Sequence, residues 1–583
     1  MPVQLSANAR RVLESRYLRK DKEGRLAEDA DGLFRRVAHA VAAAERRWGN
    51  EAACREWEEL FYEMMSQLLF LPNSPTLMNA GTALHQLSAC FVLPVEDSMD
   101  GIFSSLKQAA LIQQSGGGTG FNFSRLRPQH DLITKTGGSA SGPVSFMKIF
   151  DAATEHVKQG GKRRGANMGI LNVDHPDIEA FISAKQQSSV LTNFNISVGI
   201  SNAFMQAVLK KESWNLLHPN SHVIVKTISA EKLWTEIVES AWDCGDPGLL
   251  FLDTINAANP TPELGMIQAT NPCGEVPLLP FESCNLGSVN LSKFVKQLDD
   301  TTGIDWPELE SVVRLAVRFL DDVIDANQYI IPETKAIVQG NRKIGLGVMG
   351  WADMLCQLGI SYDTEEAVAL ADKLMSFIQS GAMAASAQLA RERGPFPNWA
   401  KSRYYPERPL RNASLTSIAP TGSISIIADA SSSIEPFFAL AFERRHVLND
   451  EKLPVINRCF ADYLVQTGQY NEQVLAHLQA EGSAARLPGL SPEVKALFKT
   501  AYEIAPEWHV LQQAAYQRHV DNAVSKTINL PETATPADID RIYKMAWQQQ
   551  LKGITIYRQN SLPQQILHPG IHTAAEACKV CLS

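Results

Sequence analysis

The chain has 583 residues, 45% of them hydrophobic and 20% charged, with a formal net charge of −9 at neutral pH. That balance describes a globular protein able to bury a large core, and it disfavours a broad nucleic-acid surface, which needs many phosphate-neutralising cations. No apolar run reaches the roughly 18 residues that cross a bilayer, and Met1-Pro2-Val3-Gln4 opens no secretory signal, so no membrane partner and a cytoplasmic location are expected.

Residues 1–70 are charged and rich in alanine. Leu33-Phe34-Arg35-Arg36-Val37-Ala38 and Trp57-Glu58-Glu59-Leu60-Phe61 carry apolar side chains at helical spacing, which predicts a helical N-terminal region. From Leu71-Pro72-Asn73-Ser74-Pro75 onward, short β-rich runs (Ser88 to Leu93, Gly169 to Val173, Asn195 to Ile200) alternate with longer helical patterns. Such alternation predicts an α/β sheet or barrel. No linker divides residues 71–560, so one catalytic domain is expected there, followed by an aperiodic tail over 561–583.

Between the first two of those runs lies Ser115-Gly116-Gly117-Gly118-Thr119-Gly120, which suits either a tight turn or a backbone passing close to a ligand. Lys158, Lys162, Arg163 and Arg164 form the densest basic cluster; a solvated face is the ordinary fate of such a run, and phosphate contact is the alternative.

The most informative segment is Asn271-Pro272-Cys273-Gly274-Glu275, with Cys284 following in Glu282-Ser283-Cys284-Asn285. A buried cysteine is ordinarily a small hydrophobe, and Cys54, Cys244, Cys356 and Cys459 are taken as such. Cys273 differs because Pro272 and Gly274 suit a tight loop and fit poorly in a helix or central strand. In an extended loop Asn271 and Glu275 point the same way as Cys273. A carboxyl in a water-poor pocket is then a usable acid or base near neutral pH, although a turn whose Asn and Glu cap backbone groups fits the same residues.

Further on, Ala413 to Ile418 reads as a strand and leads into Ala419-Pro420-Thr421-Gly422-Ser423-Ile424-Ser425. Backbone amides and hydroxyls there can hold an anion, and a plain helix cap is the alternative; no Gly-Lys-Ser/Thr makes it a Walker loop. The chain ends in Cys578-Lys579-Val580-Cys581, with His568 and His572 upstream. One Cys-x-x-Cys falls short of four zinc ligands, and a mobile dithiol that exchanges with a buried disulfide explains the pair as well. With nine cysteines scattered over this length, redox work by a few is permitted.

Taken together, Pro72-Asn73-Ser74-Pro75-Thr76-Leu77, Leu87-Ser88-Ala89-Cys90, Ser115 to Gly120, Asn271 to Glu275 and Ala419 to Ser425, in that order, resemble ribonucleotide reductases. The likeness is strongest to the adenosylcobalamin-dependent class II branch and runs from Arg16-Tyr17-Leu18 to the terminal dithiol. It implies a ten-stranded α/β barrel with a central finger loop, on which Cys273 is the thiyl site that abstracts the substrate's 3′ hydrogen. Glu275 would take the 3′ hydroxyl proton, Asn271 would hold the sugar, and Cys90 with Cys284 would supply the reducing equivalents and end as a disulfide, later reduced by Cys578 and Cys581.

By the same resemblance Ser74, Ala89, Gly118, the loop from Asn271 through Pro272 and Gly274 to Glu275, and the turn Pro420, Thr421, Gly422, Ser423 and Ile424 contact a ribonucleotide. Asp97, Ser98 and Arg127 would bind a deoxynucleotide effector at a homodimer interface, with Lys185 to Asn195 as the loop that relays its signal. Thioredoxin or glutaredoxin is the implied reductant. Class I large subunits receive their radical through two adjacent tyrosines, where this chain has Thr555-Ile556-Tyr557-Arg558; Tyr404-Tyr405 lies elsewhere and reads as loop. A cofactor that makes the radical in place, adenosylcobalamin, is therefore expected, although no Asp-x-His-x-x-Gly run marks a histidine-ligated cobalamin and no metal-ligating set is read from the chain. The chain also lacks room for an extra N-terminal activity cone, so inhibition by dATP there is not expected, nor is a long zinc-binding C-terminal extension. A class I catalytic subunit and an inactive nucleotide sensor remain the alternatives, and diphosphate and triphosphate substrates both fit, with dimeric members favouring the diphosphate.

Overall fold

A computed structural model describes residues 3–133, 137–159, 163–186, 190–298, 301–448, 451–561 and 567–571. The predicted N-terminal helices are α1 (Ala30–Ala42), started by the Asp29 carboxylate accepting from the Gly32 amide at 2.8 Å, and α2 (Glu51–Ser66), started by Asn50 accepting from Ala53 at 3.0 Å. Each cap satisfies an amide that the first helical turn leaves open. Beyond them come α3 (Met99–Gln114), α4 (Pro143–His156), α5 (Ala230–Cys244), α6 (Trp306–Ala326) and α7 (Glu365–Arg393).

The sheet has ten strands: β1 (Phe70–Pro72), β2 (Cys90–Val92), β3 (Gly118–Asn122), β4 (Asn167–Asn172), β5 (Phe194–Ile200), β6 (Gly248–Phe251), β7 (Ser283–Asn290), β8 (Ile344–Met349), β9 (Thr527–Leu530) and β10 (Gly553–Arg558). Strands β2 to β6 are successive parallel neighbours. In the other half β7 runs parallel to β8 and β9 parallel to β10, and single parallel bridges link β8 to Thr416 and Ile418 to Val524. The two halves meet antiparallel at β6–β10 and at β2–β7. The sheet is thereby closed into a barrel, with β1 antiparallel along the rest of β7. The run 413–418, expected as a strand, serves as a stave through those isolated bridges.

Strand alternation sorts side chains by face. Phe91, Leu171, Phe194, Ile196 and Val198 pack outward against the helices, whereas Cys90, Val92, Met168, Ile170, Cys284 and Leu286 form a separate interior cluster. That cluster includes Val276 and Leu278, because a two-stranded hairpin, Ala269–Thr270 paired with Pro277–Leu278, enters the barrel between β6 and β7. Residues 271–276 form its tip. A Cβ added to Gly120 on β3 would lie 1.7 Å from the Thr270 carbonyl oxygen, so only glycine lets the hairpin pass. Within the glycine run, Ser115 and Gly116 form the turn that follows α3, and Gly120 lines the groove along which the finger is threaded.

The N-terminal helices share a core with α6, with Phe319 meeting Phe61 and Phe70 edge-on at 5.1 and 5.6 Å. Beside it lies a buried ion network. Arg393 on α7 bonds Asp321 at 3.1 Å, Asp322 at 2.6 Å and Glu45 at 2.5 Å, and Arg342 and Arg411 also reach Asp321.

Candidate active site

Cys90 on β2 and Cys284 on β7 are register partners across the antiparallel seam. Residues so opposed hold their α carbons about 4.5–5.5 Å apart, inside the window of about 4.4–6.8 Å that a disulfide needs. Both are buried and present as thiols. Burial pushes the Cys90 thiol well up, helped by the Glu275 carboxylate and by Cys284 and Cys273 nearby. Burial, followed by Glu282, does the same to Cys284. Both therefore keep their S–H near neutral pH, which suits hydrogen donors and disfavours thiolate nucleophiles.

The finger tip is a turn, as Pro272 and Gly274 suit, and not the extended loop that would align Asn271, Cys273 and Glu275. Gly274 has φ +84° and its amide donates to the Asn271 carbonyl at 3.1 Å. The turn separates the three groups: Asn271 and Glu275 are each 2% exposed, while Cys273 is exposed. The Asn271 amide donates to Cys90 Sγ at 3.1 Å, and its oxygen accepts from Val276 N at 3.0 Å and Thr270 Oγ1 at 3.1 Å. Cys90 in turn points its thiol at Glu275 Oε1, 3.9 Å away. Burial raises the Glu275 carboxyl from 4.5 to about 7, against smaller opposing hydrogen bonds led by Asn271. Glu275 Oε2 is buried with no hydrogen-bond partner. An amide, a thiol and a carboxyl near its titration midpoint thus meet beneath an exposed sulfur.

Of the other expected residues, Ala89 and Gly118 adjoin this seam. Ala89 donates to the Cys284 carbonyl at 3.2 Å and accepts from Gly118 at 2.8 Å. Ser74 opens a short helix, Ser74–Asn79, and its hydroxyl meets Tyr17 Oη at 2.8 Å. The turn after Ala419 leads into a helix of one turn, Ile424–Ile427. Pro420 and Gly422 are exposed, Ser423 is half-buried, and Thr421 is buried with its hydroxyl accepting from the Ser433 amide at 2.7 Å. Ser98 caps α3, its hydroxyl accepting from the Gly101 amide at 3.0 Å. Arg127 donates to Asp97 at 2.9 Å, so the expected phosphate partner is held by its neighbouring acid.

Of the four cysteines taken as core, Cys54 and Cys244 are buried, but Cys356 and Cys459 are half-buried. Cys459 sits 3.6 Å from Asp353 Oδ1 on the helix that carries Cys356, and both cysteines pack against the apolar cluster around Phe460 and Leu464 without being fully buried. Cys578 and Cys581 lie outside the described residues, as do Lys162, His572 and positions 187–189 of the relay loop. The sequence reading missed two anchors of the finger: Ser417 Oγ donates to the Glu275 carbonyl at 2.8 Å, and Asn195 Nδ2 donates to the Pro272 carbonyl at 2.8 Å. Neither has a local signal, since each acts on a segment remote in sequence.

Two family profiles match the chain: ribonucleotide reductase, all-alpha domain, over residues 3–85, and ribonucleotide reductase, barrel domain, over 88–408 and 405–557. The chain belongs to the ribonucleotide reductase family. A Mycobacterium tuberculosis protein named vitamin B12-dependent ribonucleoside-diphosphate reductase is 50% identical over 570 residues, covering 97% of this chain and 81% of that one. A Thermoplasma acidophilum protein of the same name is 47% identical over 624 residues, with 97% and 81% covered. The solved class Id ribonucleotide reductase alpha subunit of Actinobacillus ureae shares the fold, with a TM-score of 0.79 at 24% identity over 96% of this chain and 98% of that one. In this ribonucleotide reductase, the residue after Tyr557 is Arg558, whose guanidinium donates to the Trp242 carbonyl at 2.9 Å and stacks 4.4 Å from the Trp242 ring on α5.

Proposed function

We propose that this ribonucleotide reductase converts ribonucleoside diphosphates to 2′-deoxyribonucleotides with adenosylcobalamin as its radical source and no separate radical-generating subunit. One observation carries the reading most: a cross-strand pair of protonated thiols, Cys90 and Cys284, beside a buried carboxyl and under the exposed Cys273. Relatives at 47% and 50% identity bear the name vitamin B12-dependent ribonucleoside-diphosphate reductase. The residue that follows Tyr557 in sequence is Arg558, engaged with Trp242, where a tyrosine pair would need a second tyrosine, which disfavours a radical relayed from a partner protein. An inactive sensor needs none of these groups.

The finger tip suits the cofactor. Cys273 is exposed there, and a Cβ built on Gly274 meets nothing within 4 Å, so Cys273 and Gly274 are the residues against which it would be held. When bound, adenosylcobalamin supplies a carbon-centred radical by homolysis of its cobalt–carbon bond. Cys273, as the thiyl, takes the 3′ hydrogen of the sugar. Glu275 accepts the 3′ hydroxyl proton through its unpartnered Oε2, and Asn271 holds the sugar by hydrogen bonding. As the 2′ hydroxyl leaves as water, Cys90 and Cys284 give up two hydrogens between them and join as a disulfide. Cys273 then returns the 3′ hydrogen while Glu275 gives the proton back to the 3′ oxygen, and Cys273 is again the thiyl.

Ser74, Ala89, Gly118 and the Pro420 to Ile424 turn complete the substrate site, the exposed Gly422 and the half-buried Ser423 lying nearest the phosphates. The tail dithiol, Cys578 and Cys581, reduces the disulfide and is itself renewed by thioredoxin or glutaredoxin. Asp97, Ser98 and Arg127 bind a deoxynucleotide effector at a homodimer interface. Met99, Phe103 and Leu111 leave an apolar stripe exposed along α3, and Ile149 adds to it on α4, which is the face such a dimer would cover. No helix among the described residues is long and apolar enough to cross a membrane, and a reducing cytoplasm suits chemistry that depends on thiols.

The test is an assay of the isolated chain with adenosylcobalamin, a dithiol and labelled ribonucleotides, with and without oxygen. Turnover that needs a second subunit and ignores the cofactor would refute the reading. Cys273→Ser should abolish product. Cys578→Ser should spare turnover with a small dithiol and impair it with a protein reductant.

A further inference from the structure

The finger is held at both ends of its tip. On the C-terminal side the Glu275 carbonyl accepts from the Ala523 amide at 2.9 Å and from Ser417 Oγ at 2.8 Å, both from the second half-barrel. On the N-terminal side Pro272 lies against the first half-barrel, where a Cβ on Gly118 would fall 2.9 Å from its ring. Its carbonyl, one residue before Cys273, accepts from the Asn195 side chain at 2.8 Å.

Asn195 stands at the foot of the loop that begins at Lys185. Lys185 Nζ donates to the Phe194 carbonyl at 2.6 Å and pairs with Asp246 at 2.7 Å, and Asp246 accepts from the Ile196 amide at 3.3 Å. The two ends of the loop are therefore clipped together, and the residue between the clipped Phe194 and Ile196 is the one that holds the finger. In β5 the outward positions are Phe194, Ile196, Val198 and Ile200, which leaves Asn195 facing the barrel interior by alternation.

We infer that Asn195 is a positioning residue of this enzyme: its amide N–H, bonded to the Pro272 carbonyl, sets where Cys273 presents its sulfur and couples that position to the base of the 185–195 loop. The inference rests on Cys273 being the radical carrier. A sulfur that must meet one C–H bond tolerates little displacement, since misplacement by about 1 Å costs on the order of a hundredfold in rate. One hydrogen bond from a strand to a turn is the sort of support that confines it.

The test uses the full-length chain with Asn195→Ala, which removes the donor, and Asn195→Asp, which keeps size and packing but offers no N–H. Two readouts are needed: steady-state kinetics with cofactor, and the alkylation rate of each cysteine by iodoacetamide, resolved by peptide mass spectrometry and independent of turnover. In both variants kcat should fall about tenfold to a hundredfold with the nucleotide KM within about twofold. Cys273 should alkylate about fivefold faster, because the turn opens more often without the bond, while Cys356 and the melting temperature stay unchanged. Wild-type alkylation of Cys273 in both variants, or a wild-type rate in Asn195→Asp, overturns the inference. So does faster alkylation with unchanged kcat, or a general rise at Cys356 with a lower melting temperature. If the wild type does not turn over, the function proposed above fails while the alkylation arm still decides whether Asn195 holds the finger.

Discussion

Glu275→Gln probes the site through stability as well as activity. Burial raises the folded-state pKa of Glu275 from 4.5 to about 7, so the folded protein binds a proton that the unfolded chain has released between those values. The stability associated with that proton is fully present below about pH 4.5 and is lost as pH rises through 7. At about 1.36 kcal/mol per pH unit, a raise of some 2.5 units amounts to roughly 3 kcal/mol of stability missing at pH 8. Glutamine is close in shape and does not ionise, so the variant should escape the loss.

With an unfolding entropy of about 2.1 cal/mol/K per residue, a chain of 583 residues converts 3 kcal/mol into an upward shift of about 2–3 °C. The quantity to measure is the variant's melting-temperature difference from wild type at pH 8 minus the same difference at pH 5, because altered packing contributes equally at both. Wild-type kcat/KM should rise through an apparent pKa near 7 as the carboxylate forms, and the variant should lose about a hundredfold or more with that limb absent. A melting-temperature difference independent of pH would refute the claim that the pocket desolvates Glu275.

Three further outcomes follow from the packing. Mild oxidation of the isolated chain should join Cys90 to Cys284 in peptide maps without loss of fold, and Cys90→Ser or Cys284→Ser should stop turnover with any reductant; a pair that fails to cross-link would contradict the register across the seam. Gly120→Ala should cost about 3 kcal/mol or more by denaturant unfolding, and remove activity, because the added methyl meets the Thr270 carbonyl at 1.7 Å. Arg393→Leu leaves the buried Asp322 without its cation and takes one of several cations from the buried Asp321 and Glu45, and should destabilise by about 3–5 kcal/mol, read as an earlier unfolding transition with activity retained at low temperature.

Much of this arrangement was legible in local sequence. Apolar residues at helical spacing, Leu33 to Ala38 and Trp57 to Phe61, marked α1 and α2, and alternating runs marked β2, β4 and β5. Pro272 and Gly274 around Cys273 marked a presented thiol, because those residue types restrict the backbone without help from distant partners. The glycine run was visible but ambiguous: what approaches Gly120 is the Thr270 carbonyl, and nothing near Gly120 in sequence says so. Asn195 and Ser417 gave no sign of their work on the finger for the same reason, and the half-buried setting of Cys356 and Cys459 was equally silent.

Local residue patterns thus set the elements and the exposed thiol, and the motifs set the family. Which groups meet follows from the closed barrel. Closing the barrel turns the seam between β2 and β7 into a contact between two cysteines remote in sequence, and threading the finger through the interior removes water from Glu275 while leaving Cys273 open. Register is a property of paired strands and desolvation a property of what surrounds a group on every side, so neither is encoded in any one segment of the chain.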